Sequence, residues 1–513
     1  MGSLDENLPL PSIHGFKPLD LGDLREQVHQ TVDFIMDYYK NVESFPVLPS
    51  VQPGYLRGLL PATPSDKPTT FDAILRDLRR AILPGLTHWT SPNFFAYFPA
   101  TLSSAALAGD LLASAFNPVA FNWLSSPAAT ELESLVLDWL AHLLRLPSRF
   151  LSSSASTAAH GGGVLHTTTS EAILCTLVAA REAALRRCGG GAAAISRLVA
   201  YGSDQTHSTF FKACRIAGFD PAHVRSVPTR SESEFSLEPA SLRAAMAADA
   251  AAGLVPAYVC ATVGTTSSTA VDPVGPISEV AAEFGAWVHV DAAYAGSACV
   301  CPEFRQYLDG VERADSVSFS PHKWLLACLD CTCLWVRDTR LLTGPLGTDP
   351  EYLKNGPSES GSVVDLKDLQ VGVGRRFRAL KLWMVIRTYG VANLRAHIRS
   401  DVQMAQGFER MVRLDPRFEV VVPRRFALVC FRLRPRGEMG EAWADKENRR
   451  LLEMINESGR VYITHTVVGG KYVLRFAVGS TLTEERHVAG AWELITKKAD
   501  ELLGAENNPA RNI

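Results

Sequence analysis

An aspartate and a lysine each follow a short apolar run in the middle of the chain. Asp291 ends the run WVHVD, and Lys323 follows SVSFSPH about 30 residues later. This separation is close to one strand–helix–strand repeat, so both side chains are expected at one edge of a parallel sheet. A lysine amine can form a Schiff base with an aldehyde, and a carboxylate can keep a ring nitrogen protonated. Pyridoxal phosphate needs both groups.

Two further segments carry side chains that suit the same cofactor. In GGGVLHTTTSEAILCTL, glycines precede Thr168, Thr169 and Ser170 at the start of a predicted helix, where N–H groups and hydroxyls bind phosphate. His207 follows the predicted strand RLVAYGS and offers a flat ring that could stack on a flat cofactor. Each feature alone is more often a helix cap or a structural histidine. The helix start, His207, Asp291 and Lys323 each lie in their own strand–helix unit. This combination favours a functional site over four unrelated structural roles.

Composition excludes several other classes of protein. The chain has 513 residues and a net charge of −3, with 51 basic and 54 acidic residues, so it lacks the basic surface typical of nucleic-acid or membrane binding. Its N-terminus, MGSLDENLPLPS, has no apolar segment typical of a secretory signal. The ten cysteines lack the usual spacing of zinc ligands, and many lie in strand-like runs. We therefore expect a cytoplasmic protein without a metal site.

The elements that must position these side chains form an α/β pattern. Residues 1–101 read as helical and extended pieces that pack on a partner subunit. Residues 102–395 alternate helical runs with short β-rich runs, which predicts a mostly parallel sheet in a large cofactor-binding domain. Residues 396–513 read as a smaller α+β domain. SASTAAHGGG and GGGAAA are predicted to be surface loops.

A polar, Gly/Pro/Ser-rich stretch of about residues 343–363 follows the lysine closely. A solvated connector is the more common role for such a segment. A mobile lid over an active site is the alternative. The composition leaves both interpretations open.

Several motifs together resemble group II pyridoxal-phosphate decarboxylases, and among them the plant aromatic L-amino-acid decarboxylases. The motifs are HWTSPNFFAYFP, SPAATELE, TSEA, SDQTHS, ATVGTTSS, HVDAAYAGSA, SPHKW, GRRFRALKLW and LRFAVG. The resemblance extends from about Phe16 to the C-terminal helix. It implies an aspartate-aminotransferase-like (type I) fold and a homodimer with active sites at the subunit interface.

The resemblance also implies roles for individual residues around the cofactor. Lys323 matches the Schiff-base lysine, Asp291 the partner of the pyridine nitrogen and His207 the stacking ring. The other matching cofactor positions are Thr169, Ser170 and Ser320 for the phosphate, with Thr266 and His322 close by.

The substrate side of the site is implied in the same way. The walls of an aromatic pocket match Trp89, Tyr97, Phe98, Pro99 and, from the other subunit, Phe121. Tyr352, in DPEYLKN, matches a loop tyrosine that donates a proton to the substrate, and relatives that make aldehydes carry phenylalanine there. Gly374 matches a pocket position that is glycine in indole-preferring members and serine in tyrosine-preferring ones. Decarboxylation of tryptophan to tryptamine is therefore expected.

Other activities compete with this interpretation. Tyrosine or dopa, or phenylalanine, is the alternative substrate, because several pocket residues together set the preference. An aldehyde synthase is disfavoured by Tyr352. A transaminase of the same fold would need an arginine for the substrate carboxylate, and Arg475 is a nominal candidate. A non-catalytic scaffold would be expected to have lost Lys323, Asp291 or Tyr352.

Overall fold

The computed structural model describes residues 17–153, 160–436 and 440–506. The chain divides into two compact units, Met1–His88 and Trp89–Ile513. The predicted boundaries at residues 101 and 395 stay predictions. Among the helices of the described residues, none is both long and apolar enough to cross a membrane.

The described residues of the first unit form two α-helices, α1 (Leu21–Lys40) and α2 (Phe71–Asp77). Helix α1, predicted from its apolar period, begins where the Asp20 carboxylate accepts hydrogen bonds from the N–H groups of Gly22 and Asp23. It buries no residue within the single chain. Its apolar side chains therefore remain available for packing against another surface.

A seven-stranded sheet forms the centre of the second unit. Its strands are β1 (Gly162–His166), β2 (Leu198–Ser203), β3 (Val224–Val227), β4 (Val255–Thr262), β5 (Trp287–Asp291), β6 (Ser316–Phe319) and β7 (Thr332–Val336). They lie in the order β1-β7-β6-β5-β4-β2-β3, and only β7 runs against its neighbours. The predicted mostly parallel sheet is confirmed.

The helices of the second unit are α3 (Ser104–Phe116), α4 (Pro127–Leu143), α5 (Thr169–Cys188), α6 (Ser208–Ile216), α7 (Pro239–Ala251), α8 (Val274–Glu283), α9 (Pro321–Trp324), α10 (Arg340–Leu346), α11 (Gly356–Glu359), α12 (Arg378–Leu414), α13 (Gly440–Glu457) and α14 (Glu485–Glu506). Successive residues of β4 enter different apolar clusters. Val259 packs in one cluster and Cys260 in the other. Both faces of the sheet are therefore covered, as expected for buried parallel strands.

A smaller antiparallel sheet lies in the C-terminal part of this unit. It consists of β8 (Phe418–Val420), β9 (Leu428–Leu433), β10 (Thr464–Val468) and β11 (Lys471–Ala477), in the order β10-β11-β9-β8. Helix α12 leads to it through a break at Gly390, whose φ of 66° is not helical. All four strands lie within the β-rich sequence runs FEVVVP, FALVCFRL, YITHTVV and YVLRFAVG or extend them by one residue.

The sequence prediction missed strand β1, because its glycines read as part of a loop. Residues 154–159 of that predicted loop lie outside the described residues, but Gly162 and Gly163 are strand residues. A Cβ on Gly163 would lie 3.0 Å from atoms of Leu137 and Trp335. The glycine therefore allows close packing on β7 and α4. Of the other predicted loop, GGGAAA, the last four residues begin a 3₁₀ helix, Gly191–Arg197.

Candidate active site

The candidate site lies at the carboxyl edge of the large sheet. Thr262 ends β4 and Asp291 ends β5, and the two are paired in register. Lys323 lies in α9, directly after β6. Parallel strands deliver these side chains to one edge, where they line a cavity of about 230 Å³. The sequence-based prediction that Asp291 and Lys323 meet at one edge is confirmed.

The amine of Lys323 lies in this cavity, with Nζ 5.9 Å from the centroid of the Phe98 ring. Burial lowers the pKa of the Lys323 amine, and the nearby Asp291 carboxylate opposes that shift. A larger fraction of the amine is therefore neutral at physiological pH than for an exposed lysine. A neutral amine is the form that attacks an aldehyde.

Asp291 is 4% exposed, and its Oδ1 accepts a hydrogen bond from the N–H of Ala293 at 3.0 Å. This bond fixes one oxygen of a carboxylate that lines the cavity. Beside it, the buried Oγ1 of Thr262 has no hydrogen-bond partner among the described residues. A buried polar atom of this kind normally meets a ligand or water.

A cluster of hydroxyls lines another part of the cavity, at the N-terminus of α5. Thr169 Oγ1 lies 2.9 Å from Ser320 Oγ, and Thr209 Oγ1 donates to Ser170 Oγ at 2.5 Å. Thr168 occupies the N-cap position of α5, where its side chain makes no capping hydrogen bond, and it also lines the cavity. The positive end of a 20-residue helix together with hydroxyl donors suits a phosphate group.

His207 and His322 both line the cavity. His207 Nδ1 accepts the N–H of Thr209 at 3.2 Å, so the neutral ring carries its proton on Nε2. Burial lowers the pKa of His207, and Lys323 adds to this effect while Asp291 opposes it. His322 Nδ1 lies 2.7 Å from the carbonyl oxygen of Cys331 and 3.0 Å from its nitrogen. Burial lowers the pKa of His322 to about 4, with a contribution from Lys323, so the His322 ring is neutral at pH 7.

The aromatic ring of Phe98 forms one wall of the cavity, and Tyr294 stacks behind it. Sequence reasoning missed Tyr294, Thr262 and Thr209 as lining residues. Tyr294 follows Asp291 in the motif HVDAAYAG, and Thr262 lies in ATVGTT, so position next to a motif residue was the available signal.

The structure brings together nine of the predicted site residues: Phe98, Thr169, Ser170, His207, Thr266, Asp291, Ser320, His322 and Lys323. The remaining predicted residues do not line the cavity of the single chain: Trp89, Tyr97, Pro99, Phe121, Tyr352 and Gly374. Trp89 stacks on Tyr97 with ring centroids 5.5 Å apart. Tyr352 is 84% exposed. Arg475 also does not line the cavity, and its guanidinium lies 5.2 Å from the centroid of the Phe98 ring.

These groups fit pyridoxal phosphate. Lys323 would hold the aldehyde carbon, Asp291 the pyridine nitrogen and the α5 hydroxyls the phosphate. Thr262 Oγ1, which has no partner among the described residues, would help to hold the cofactor. No acidic side chain other than Asp291 lines the cavity within the described residues, so nothing there opposes an anionic phosphate.

Comparison with known proteins agrees with this chemistry. Residues 53–434 match the model of the pyridoxal-dependent decarboxylase conserved domain. Tryptophan decarboxylase 1 of Oryza sativa subsp. japonica is 63% identical, over 98% of this chain and 100% of that protein. A crystal structure of Oryza sativa TDC with PLP and tryptamine is 64% identical, with a TM-score of 0.93 over 95% of this chain and 99% of that chain.

A crystal structure of Catharanthus roseus tryptophan decarboxylase in complex with L-tryptophan is 57% identical, with a TM-score of 0.90. The match covers 95% of this chain and 100% of that chain. The predicted type I fold and the predicted cofactor are confirmed by these matches. The chain belongs to the pyridoxal-dependent decarboxylase family.

Proposed function

We propose that this enzyme decarboxylates L-tryptophan to tryptamine and CO₂. The observation that carries the proposal is the cavity in which the Lys323 amine, the Asp291 carboxylate and the α5 hydroxyls converge. The similarity to tryptophan decarboxylases along the whole chain supports tryptophan as the substrate. The assignment of tryptophan as the substrate is tested by comparing the rate of CO₂ release from tryptophan with the rates from tyrosine and dopa.

Bound pyridoxal phosphate supplies an aldehyde for the substrate amine and a ring that accepts the electrons released with CO₂. The residues of the chain position the reactants and move protons. Asp291 holds a proton at the ring nitrogen, which strengthens the ring as an electron acceptor. His207 presents its Nε2–H to the cavity, and its ring would exclude water from one face of the cofactor ring. The hydroxyls of Thr169 and Ser170 hold the phosphate.

A proton must reach the substrate α-carbon after CO₂ leaves, and we assign it to the hydroxyl of Tyr352. Tyr352→Phe is expected to divert product from amine toward aldehyde, ammonia and peroxide, because without this proton donor the substrate α-carbon stays unprotonated and exposed to molecular oxygen. The substitution removes only a hydroxyl from an exposed side chain, so stability should not change. Product analysis of the purified variant measures the switch. Glu351→Gln, in the same 3₁₀ turn, is the control and should give amine only. Amine as the sole product of Tyr352→Phe would refute the assignment.

The exposed position of Tyr352 supports a homodimer in which each subunit completes its partner's site. Apolar side chains are also exposed on α3, at Leu107, Leu111, Leu112 and Phe116. Co-expression of Lys323→Ala with Tyr352→Phe tests this arrangement. A mixed dimer regains one intact site only if tyrosine and lysine come from different subunits. Amine formation no greater than in the two separate variants would refute it.

We assign the preference for an indole to Gly374, which is exposed and whose added Cβ would meet no atom within 4 Å in the single chain. Gly374→Ser is expected to lower kcat/KM for tryptophan roughly tenfold or more and to raise it for tyrosine, because the hydroxymethyl group takes up space and offers a hydrogen bond to a phenol. Steady-state kinetics on both substrates measures the shift. Gly372→Ser, at a similarly exposed glycine, is the matched control. An unchanged tryptophan-to-tyrosine ratio would remove Gly374 from the specificity pocket.

We also assign the enzyme to the cytoplasm. All ten cysteines are unpaired thiols in the structure. Eight of them are buried, as is typical of a protein that folds in a reducing compartment. Fluorescence imaging of a tagged full-length chain tests this assignment.

A further inference from the structure

Three aromatic rings form a column that extends away from the cavity. Phe98 lies on Tyr294 with ring centroids 3.7 Å apart and planes 9° apart. Tyr294 lies on Trp324 at 4.8 Å and 7°. Tyr294 belongs to the loop that follows Asp291, and Trp324 directly follows Lys323. The column therefore joins the two segments that carry the acid and the amine.

The end of the column farthest from the cavity is attached to α12. The indole Nε1–H of Trp324 donates to Oδ2 of Asp401 at 2.7 Å. Trp324 is fully buried and Asp401 is 2% exposed. His397 Nε2 lies 3.6 Å from the same carboxylate oxygen. Burial raises the pKa of Asp401, which reflects the cost of keeping a carboxylate in this place.

Packing alone does not require an acid at this position. Replacing both partners of a buried polar pair by apolar groups of similar shape is often close to neutral for stability. Stacked rings can slide and rotate in their planes at small cost, because stacking has little in-plane directionality. A hydrogen bond from the indole edge removes that freedom. Asp401 therefore adds orientation that stacking cannot supply.

We propose that Asp401 is a positioning residue for the reaction, acting through the indole of Trp324 on the adjacent Lys323 amine and, through Tyr294, on the Phe98 wall. This inference rests on the proposed attachment of the cofactor to Lys323. Nζ of Lys323 lies 5.9 Å from the centroid of the Phe98 ring. Lys323 is bonded to Trp324 along the chain and Phe98 is itself a ring of the column, so the positions of both partners depend on the column.

The test uses the holoenzyme and the variants Asp401→Leu, Asp401→Asn, Trp324→Phe and the double variant Asp401→Leu/Trp324→Phe. Three quantities are measured: the visible absorbance of the Lys323–cofactor linkage against pH, kcat and KM for tryptophan, and the thermal unfolding temperature. Asp401→Leu and Trp324→Phe should each shift the pH midpoint of the absorbance and lower kcat about tenfold, since a misplacement of ~1 Å can cost up to about a hundredfold. KM should change much less.

Two further results are expected if the hydrogen bond between Trp324 and Asp401 is what positions the column. Asp401→Asn keeps an oxygen acceptor and should recover most of kcat and of the wild-type absorbance midpoint. The double variant should be no slower than either single variant, because both remove the same hydrogen bond. If Asp401→Leu does not fold, the asparagine and phenylalanine variants carry the test.

Trp287→Phe is the matched control. Trp287 is also buried, and its Nε1–H donates to Ser316 Oγ at 2.8 Å, but its ring is not part of the column. It should lower the unfolding temperature without changing the absorbance midpoint. The inference is overturned if Asp401→Leu lowers only the unfolding temperature, or if Trp287→Phe alters the absorbance as much as Trp324→Phe. Absence of the linkage absorbance in the wild-type enzyme would instead refute the role of Lys323.

Discussion

Replacing Lys323 by alanine is expected to lower decarboxylation of tryptophan by at least about a thousandfold, or about 4 kcal/mol in the activation barrier. Among the described residues, Lys323 is the only lysine that lines the cavity. Burial lowers the pKa of its amine and so favours the neutral, nucleophilic form. The variant should still bind the cofactor non-covalently, because the α5 hydroxyls and Asp291 remain. Borohydride reduction followed by peptide mapping measures the attachment, which should be lost.

Stability should change little in this variant. A buried ammonium pays a desolvation cost, and the shortened side chain only enlarges an existing cavity. Lys212→Ala removes an exposed lysine on α6 and is the control for the substitution itself. Borohydride labelling at a lysine other than Lys323 in the wild-type enzyme would contradict the assignment, and so would labelling of Lys323→Ala at wild-type yield.

Replacing Asp291 by asparagine is expected to reduce kcat almost as severely, roughly a hundredfold to a thousandfold, while leaving the cofactor attached to Lys323. Asparagine keeps an oxygen that can accept the N–H of Ala293, so the loop after β5 should hold its shape. The variant loses the negative charge that keeps the ring nitrogen protonated. Turnover and borohydride labelling, measured together, separate the two effects.

The same substitution should shift the pH dependence of cofactor attachment. The Asp291 carboxylate raises the pKa of Lys323 and of His207, in both cases against burial. Without that charge, both pKa values fall, so the neutral lysine amine persists to lower pH. The pH profile of the attachment rate in cofactor-free protein should therefore move to lower pH. A shift to higher pH, or turnover within a few-fold of wild type, would contradict the role given to Asp291.

Asp315→Asn is the matched control for this experiment. Asp315 is a buried aspartate directly before β6, and its Oδ2 accepts the N–H of Val288 at 2.7 Å. It lies at the opposite edge of the same sheet, because β6 runs parallel to β5. The control should show a comparable or larger loss of stability, since Asp315 also pairs with Arg337, but unchanged attachment and pH profile.

Local patterns in the sequence were sufficient to predict the alternation of elements and the cofactor site. Apolar runs such as WVHVD carry their own strand signal, and the residues at their ends meet because parallel strands deliver their carboxyl ends to one edge. Strand β1 escaped prediction because its glycines are selected by contact with Trp335, which lies far away in the sequence. The antiparallel direction of β7 was also not predictable, since nothing within the run CTCLWV encodes the direction of its neighbours.

The identity of the chemistry was therefore determined by sequence alone, through a few side chains at the ends of strands. Tertiary structure decided what surrounds them. Tyr294 and Trp324 stack across two loops, and Asp401 reaches the column from a helix that follows a break at Gly390. Burial, pKa shifts and ring stacking depend on segments that are distant in sequence. These properties arise only when folding brings those segments into contact.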